Sequence, residues 1–249
     1  MIKRLILTLL ITLFLIGCTT AETSPPTAPP AAVEEPTPEP TAASQFATLS
    51  PDERNDALIE AIRGDDMVAI DELLALGADA NYPEPSLGLS PLIMATVRSD
   101  AQMAQRLIAA GADVTIIDKG GNNLLHHAVD GGNPDLLALL LEQEGININL
   151  ARDVYGSTPL IMAARDNNVA MVEQLINAGA DLEIGDDWGD TPVNIAAYRG
   201  SLEALQLLIE RGAAIEVVNT NGNTALDHAR NQSHEEIEAF LLTILEEEP

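Results

Sequence analysis

Four histidines, a lone cysteine and a few adjacent carboxylates are the residues of this chain from which chemistry could be assembled. His126, His127, His228 and His234 raise the question of a metal. His127 and His228 hold equivalent places in a repeating text set out below, three units apart. At about 10 Å per packed helical layer they stand roughly 30 Å from each other and cannot share an ion. Asp65-Asp66 and Asp186-Asp187 are the pairs that suggest acid–base catalysis or calcium. Neither has the spacing of a calcium loop, and both read as solvated acidic surface. One cysteine, Cys18, allows neither an intrachain disulfide nor a thiolate cluster. There is no serine elbow, no phosphate-cradling glycine loop and no Cys/His pair; Gly120-Gly121 reads as a hairpin turn. The sequence therefore predicts no catalytic residue, no metal, no cofactor and no small-molecule substrate.

Composition narrows the partners. Twelve Lys+Arg stand against 39 Asp+Glu among 249 residues, a formal net charge of -27. Phosphate-rich partners need clustered Lys and Arg, so nucleic acid and an anionic membrane surface are excluded as ligands. Hydrophobic residues make up 46% of the chain, enough for a large core, while aromatics are 3%. Ala and Leu carry the apolar content, which favours closely packed helices.

The first residues read as an address. Lys3 and Arg4 precede an apolar run, Leu5 to Ile16, of about 12 residues, short of the roughly 20 needed to span a bilayer. Leu15-Ile16-Gly17-Cys18 resembles the bacterial lipobox. That resemblance implies a signal peptide over 1–17, cleavage before Cys18, acylation there, and a membrane attachment by lipid alone. Thr19 after the cysteine implies, by resemblance to Gram-negative lipoproteins, the outer membrane facing the periplasm. Loss of Lys3 and Arg4 takes the basic count from 12 to 10 and the net charge from -27 to -29. Residues 18–49 then form a Pro/Thr-rich tether holding Pro25, Pro26, Pro29, Pro30, Pro36, Pro38 and Pro40. With no apolar period it cannot offset its ordering entropy. At roughly 3.1 Å per residue it reaches about 90 Å.

From Ser50 the text becomes periodic. Ser50-Pro51-Asp52-Glu53 is a helix start with a capping hydroxyl, a proline in the first turn and Glu at the third position. Gly64-Asp65 separates two short helices, and Gly77 ends the second. Gly88, Gly121, Gly156, Gly189 and Gly222 recur at steps of 33, 35, 33 and 33; Gly77, Gly111, Gly145, Gly179 and Gly212 at 34, 34, 34 and 33. Gly88-Leu-Ser-Pro-Leu, Gly156-Ser-Thr-Pro-Leu and Gly189-Asp-Thr-Pro-Val each give a turn glycine, a cap and a proline at the first helical position. Ser90, Thr158, Thr191 and Thr224 are the expected caps. Ala95, Ala128, Ala163 and Ala196 leave room for close helix approach. The aliphatic pairs Leu107-Ile108, Leu140-Leu141, Leu175-Ile176, Leu207-Leu208 and Leu241-Leu242 face adjacent units. One such unit cannot bury its apolar face; a stack can.

This pattern resembles the ankyrin repeat. The resemblance covers residues 50–249 and implies an all-α repeat solenoid of helix–turn–helix units joined by hairpin-like loops. It divides into an opening unit at 50–83, four central repeats at about 85–218, and a closing unit at 219–249. Asn123 and Leu124 depart from the cap and proline of the pattern, Ala225 from its proline. Two extra residues fall in the second central unit, one near Glu142-Gln143-Glu144 and one between Gly145 and Gly156, where an irregular loop is expected. His126 matches the family's histidine after Thr-Pro-Leu, whose role there resembles a structural hydrogen bond to the adjacent loop.

The family resemblance also implies that partners meet a concave face built from loop tips and first helices. Carried over by position, the flanks of the turn glycines are Leu87 and Leu89, Lys119 and Asn122, Tyr155 and Ser157, Trp188 and Asp190, Asn221 and Asn223. The exposed helix ends are Val97 and Arg98, Asp130 and Gly131, Arg165 and Asp166, Tyr198 and Arg199, Asn231 and Gln232. Tyr155, Trp188 and Tyr198, three of seven aromatics, fall on two neighbouring units beside Arg165 and Arg199. Trp, Tyr and Arg dominate interface hot spots. The expected protein-binding set is therefore Tyr155, Trp188, Arg165, Tyr198, Arg199, Asp190, Leu87, Leu89 and Arg98. The expected function is a non-enzymatic interaction module on the cell envelope, with an acidic field suited to a basic partner. An immunity or inhibitor protein against a basic envelope-acting toxin is the sharper alternative. An enzyme or a passive spacer on a repeat scaffold is the competing class.

Overall fold

The computed structural model describes residues 45–152 and 154–247. The leader read at 1–17, Cys18 and nearly all of the tether lie outside these residues.

Six helical pairs follow one another: α1 (Pro51–Gly64) and α2 (Met67–Ala75), α3 (Pro91–Val97) and α4 (Ala101–Ala109), α5 (Leu124–Asp130) and α6 (Pro134–Leu141), α7 (Pro159–Arg165) and α8 (Val169–Asn177), α9 (Pro192–Arg199) and α10 (Leu202–Glu210), α11 (Ala225–Gln232) and α12 (Glu235–Glu247). No strand occurs among the described residues. Each first helix packs on its own second helix and on the first helices before and after it; α4, α6, α8 and α10 form a second row behind. Contacts of this kind, made chiefly between successive units, define a solenoid.

The starts of these helices follow from residue chemistry. Ser50 accepts the amide of Glu53, whose carboxylate accepts the Ser50 amide in return. The Ser90, Thr158, Thr191 and Thr224 hydroxyls each accept the third helical amide of α3, α7, α9 and α11. Pro91, Pro159 and Pro192 take the first position, where no amide is needed. Asn123 caps α5 with its side-chain oxygen, so that unit keeps its cap without a hydroxyl. Each first helix hands over to the second through one left-handed residue: Asp65, Ser99, Gly132, Asn167, Gly200 and Ser233. The acidic pair Asp65-Asp66 is thereby structural, since Asp66 caps α2 by accepting the Ala69 amide.

The core is a stripe repeated down the stack. Ala95, Ala128, Ala163, Ala196 and Ala229 are fully buried where first helices touch. Leu107, Leu140, Leu175, Leu208 and Leu241 fill the space between helix rows. In the pair Leu207-Leu208 it is the second residue that is buried, because the equivalent spacing from Leu175 is 33. Each such leucine contributes about 1.5–3 kcal/mol on burial. Phe46 packs against the same core. The folded part thus begins upstream of Ser50, a few residues earlier than the change of composition indicates.

Side-chain ladders set the register between units. Asp79, Asp113, Asn147 and Asp181, spaced by 34, each accept the amide two residues on. The Asn81 side chain accepts the Asp113 amide and donates to the Gly111 carbonyl of the next unit, and Asn149 accepts the Asp181 amide.

Candidate functional site

The hairpins that precede the first helices position the candidate site. In the regular ones a carboxylate or carboxamide organises the turn. Asp118 Oδ1 accepts the Gly120 and Asn122 amides, Asp186 Oδ1 those of Trp188 and Asp190, and Asn219 Oδ1 those of Asn221 and Asn223. The backbone then closes four residues apart, as in Asp186 N to Asp190 O at 3.1 Å. This is the Asx turn, in which a short side chain imitates the backbone. The other two hairpins start with Glu84 and Arg152, which cannot make that short loop. They close one residue wider, at Leu89 and Ser157. In the first, Glu84 reaches round to accept the Leu87 amide at 2.6 Å, and that bond, Ser86 and its ion pair with Arg63 bring its carboxyl down to about 2. In the second, the extra residue between Gly145 and Gly156 is absorbed by Tyr155, whose φ of 69° is left-handed. The irregular loop falls where the spacing places it.

Gly156 shows why glycine follows. Its φ is 61°, and a Cβ there would lie 2.5 Å from Asp187 Oδ1 and 2.9 Å from the Asp187 backbone nitrogen. Asp187 N donates to the Tyr155 carbonyl. Neighbouring hairpins therefore touch backbone to backbone, which brings their tips together: Tyr155 and Trp188 stack with centroids 5.5 Å apart at 24°. Both rings stay substantially in solvent, at 56% and 44% exposure. A left-handed non-glycine residue and a solvent-facing aromatic stack at one tip are not what core formation alone requires.

Beyond Trp188 a recess of about 450 Å³ opens between the last two hairpins and the ends of α9 and α11. Trp188, Ile195 and the exposed Tyr198 supply its apolar surface, the buried Asp190, Asn219 and His228 with the half-buried Asp186 its inner polar side, and Asn221, Asn223, Asn231 and Gln232 its rim. Tyr198 meets the His228 ring edge-on at 5.5 Å. Asp190 Oδ1 accepts from Asn219 Nδ2 and pairs with His228 Nε2, both at 2.8 Å. Burial, with Asp190 and Asp187 close by, pushes the Asp186 carboxyl upward.

The expected site residues are thus partly united. Tyr155, Trp188 and Tyr198 lie exposed along one surface, and Arg199 beside them is exposed too. Leu87 occupies the equivalent tip of the first hairpin and is exposed, while Leu89 packs half-buried against the core. Asp190 differs from expectation: only 8% exposed, it is an internal anchor of two hairpins. The same holds for Ser157, because the residue after each turn glycine folds inward to close the hairpin. Arg98 and Arg165 are exposed and half-exposed but engaged. Arg98 donates to the Ile62 and Arg63 carbonyls at 3.1 Å, satisfying the end of α1. Arg165 grips Asp166 with two bonds of 2.8 Å. Ile117, Val154 and Val218 are further exposed apolar residues on the hairpins that the glycine-flank rule passes over. A count of apolar residues just ahead of each turn would find them.

The histidines are framework groups. His126 is fully buried; its Nδ1 accepts the Asn123 amide at 3.2 Å and its Nε2 donates to the Ser157 carbonyl at 3.1 Å, tying α5 to the next hairpin. Burial lowers its pKa to about 4. His127 pairs with Asp118 within its own hairpin at 3.0 Å, and His234 meets the Tyr198 carbonyl at 3.2 Å. Among the described residues no group of three or more His, Cys, Asp or Glu could hold a metal ion, and no helix is long and apolar enough to cross a membrane.

The helical hairpin stack and its loop-borne surface define a repeat protein of the recognition type, and comparison with known proteins gives the family. Residues 98–186 and 160–248 match the family model described as Ankyrin repeats (3 copies), and the chain belongs to that family. It is 41% identical over 113 residues to the Neurogenic locus Notch protein of Drosophila melanogaster, which covers 45% of this chain and 4% of that protein. It is 34% identical over 118 residues to the Neurogenic locus notch homolog protein 1 of Homo sapiens, 47% of this chain and 5% of that one. To the Ankyrin repeat and KH domain-containing protein mask-1 of Caenorhabditis elegans it is 31% identical over 137 residues, 53% and 5% respectively. The chain spans about a twentieth of the length of these relatives. Ankyrin repeats are protein–protein interaction modules, in general without enzymatic activity, and this chain carries such a module.

Proposed function

We propose that the chain is a lipid-anchored docking protein of a bacterial cell envelope, facing the periplasm from the outer membrane, which binds a partner protein through its hairpin tips and first-helix ends. One observation carries the reading. Of the large apolar side chains that lie exposed among the described residues, only Val68 and Val169 sit on second helices; Leu87, Val97, Ile117, Val154, Tyr155, Trp188, Tyr198 and Val218 all lie on or beside hairpins or at the ends of first helices. Exposed apolar surface gathered on one side marks an interaction site. Tyr155→Ala with Trp188→Ala should abolish capture of the partner from envelope extracts while leaving helical content unchanged; an identical set of captured proteins would refute the assigned face. Cys18→Ser should end labelling by palmitate and release the protein from membranes.

The acidic field gives the second reading, an immunity or inhibitor protein that neutralises a basic envelope-acting toxin. A net charge of -27 steers a basic partner and makes association fall with added salt. A neighbouring gene for a basic secreted protein, with protection lost in the same double variant, would support it.

A further inference from the structure

We propose that the recess between the last two hairpins seats an arginine side chain of the partner. This rests on the docking face just described and names the chemistry that one part of it selects. Two carboxylates line the recess, and the one basic side chain of the lining, His228, meets only Asp190 Oδ1. Asp186 and Asp190 each make their bonds through Oδ1, and among the described residues Oδ2 of neither accepts a hydrogen bond. No Lys or Arg lines the space. Arg199, next to Tyr198 in sequence, is exposed and does not line the space.

Aromatic surface supplies the other half of the fit. Trp188 stacks on Tyr155, so a ligand takes the remaining face of the indole, and Tyr198 lines the same space. A cation over Trp is the strongest arrangement of that kind, and guanidinium uses it more often than ammonium. Guanidinium is also planar, weakly hydrated and rich in donors set in a fork. One such group can lie on the indole and offer N–H bonds to both carboxylates and to the carboxamide rim. A neutral polar ligand would use the rim and leave the two charges unanswered.

Trp188 is the only tryptophan of the chain, so its emission reports the recess directly. The probe is the capped peptide Gly-Arg-Gly, titrated into the full chain against the same peptide with citrulline, which keeps the shape and loses the charge. The structure predicts a saturable change of emission with arginine and binding at least tenfold weaker with citrulline. The variant Asp186→Asn with Asp190→Asn should also bind arginine at least tenfold more weakly at unchanged helical content. Asn keeps the Oδ1 acceptor that each hairpin uses, as Asn219 does at the position equivalent to Asp186. No emission change, equal response to citrulline, or an unaffected double variant overturns the proposal. If the recess fails these tests while Tyr155→Ala with Trp188→Ala still abolishes partner capture, the docking face stands and only its arginine selectivity falls; if capture survives that variant, both fall.

Discussion

Replacing His126 with Gln should remove a pH dependence that a buried imidazole builds into the array. The ring is wholly out of solvent between its own helix cap and the next hairpin. Burial takes its pKa from 6.5 to about 4. Between those values the unfolded chain binds the proton and the folded chain does not, so stability rises with pH there. The contribution is complete above 6.5 and is lost as the pH falls toward 4. At about 1.4 kcal/mol per pH step the loss comes to roughly 3 kcal/mol. A chain of net charge -27 also repels itself less as it is acidified, which works in the opposite direction. The informative quantity is therefore the stability of the wild type minus that of His126→Gln, from urea unfolding followed by helical circular dichroism. The carboxyls held low, such as Asp118 and Asp227, begin to lose stability only near their ordinary value and do so in both proteins. The difference should shrink by about 3 kcal/mol between about pH 7 and pH 4. A difference that stays flat, or grows on acidification, would refute the reasoning. So would a His126 ring resonance that titrates at its ordinary value.

Other perturbations separate the terms that hold the site. Gly156→Ala should destabilise by well over the ~1–2 kcal/mol of a left-handed Cβ, because the methyl meets the Asp187 backbone, whereas Gly111→Ala, with nothing within 4 Å, should lose only that amount in the same urea assay. Tyr155→Gly relieves the backbone at φ 69° and removes the stack on Trp188; these effects of about 1 kcal/mol each nearly cancel, so stability should hold while Trp188 emission shifts and partner capture falls. Asn219→Ala removes the last Asx turn and the bond to Asp190, and should cost about 2–3 kcal/mol with increased exchange of the Asn221 and Asn223 amides.

Repetition made most of the fold legible. Ten glycines at steps of 33 to 35 all adopt positive φ, and the Ser, Thr and Pro beside them cap and start the helices. The aromatic patch was legible for the same reason, since equal spacing from turn glycines puts Tyr155 and Trp188 on adjacent tips. What spacing could not reveal is which polar side chains point inward. Asp190 and Trp188 flank one glycine, yet one anchors two hairpins and the other meets solvent, because the closing residue of a hairpin must face the helix it starts. Arg98 likewise looks like a free cation until the carbonyls at the end of α1, 35 and 36 positions earlier, are placed against it. The recess needs Asn219 and His228 to meet Asp190 across 29 and 38 positions, and no local pattern encodes that.

The closing helix gives the recess a dynamic consequence. α12 rests chiefly on α11, and α11 carries His228, a donor to the Asp190 carboxylate. A stack joined through neighbours passes stability from each pair to the next. The pair α11 and α12 is thus at once the support of His228 and a wall of the binding space. An occupant spanning Trp188 and the rim on α11 would act as a clasp, slowing hydrogen exchange in α12 although it touches nothing there.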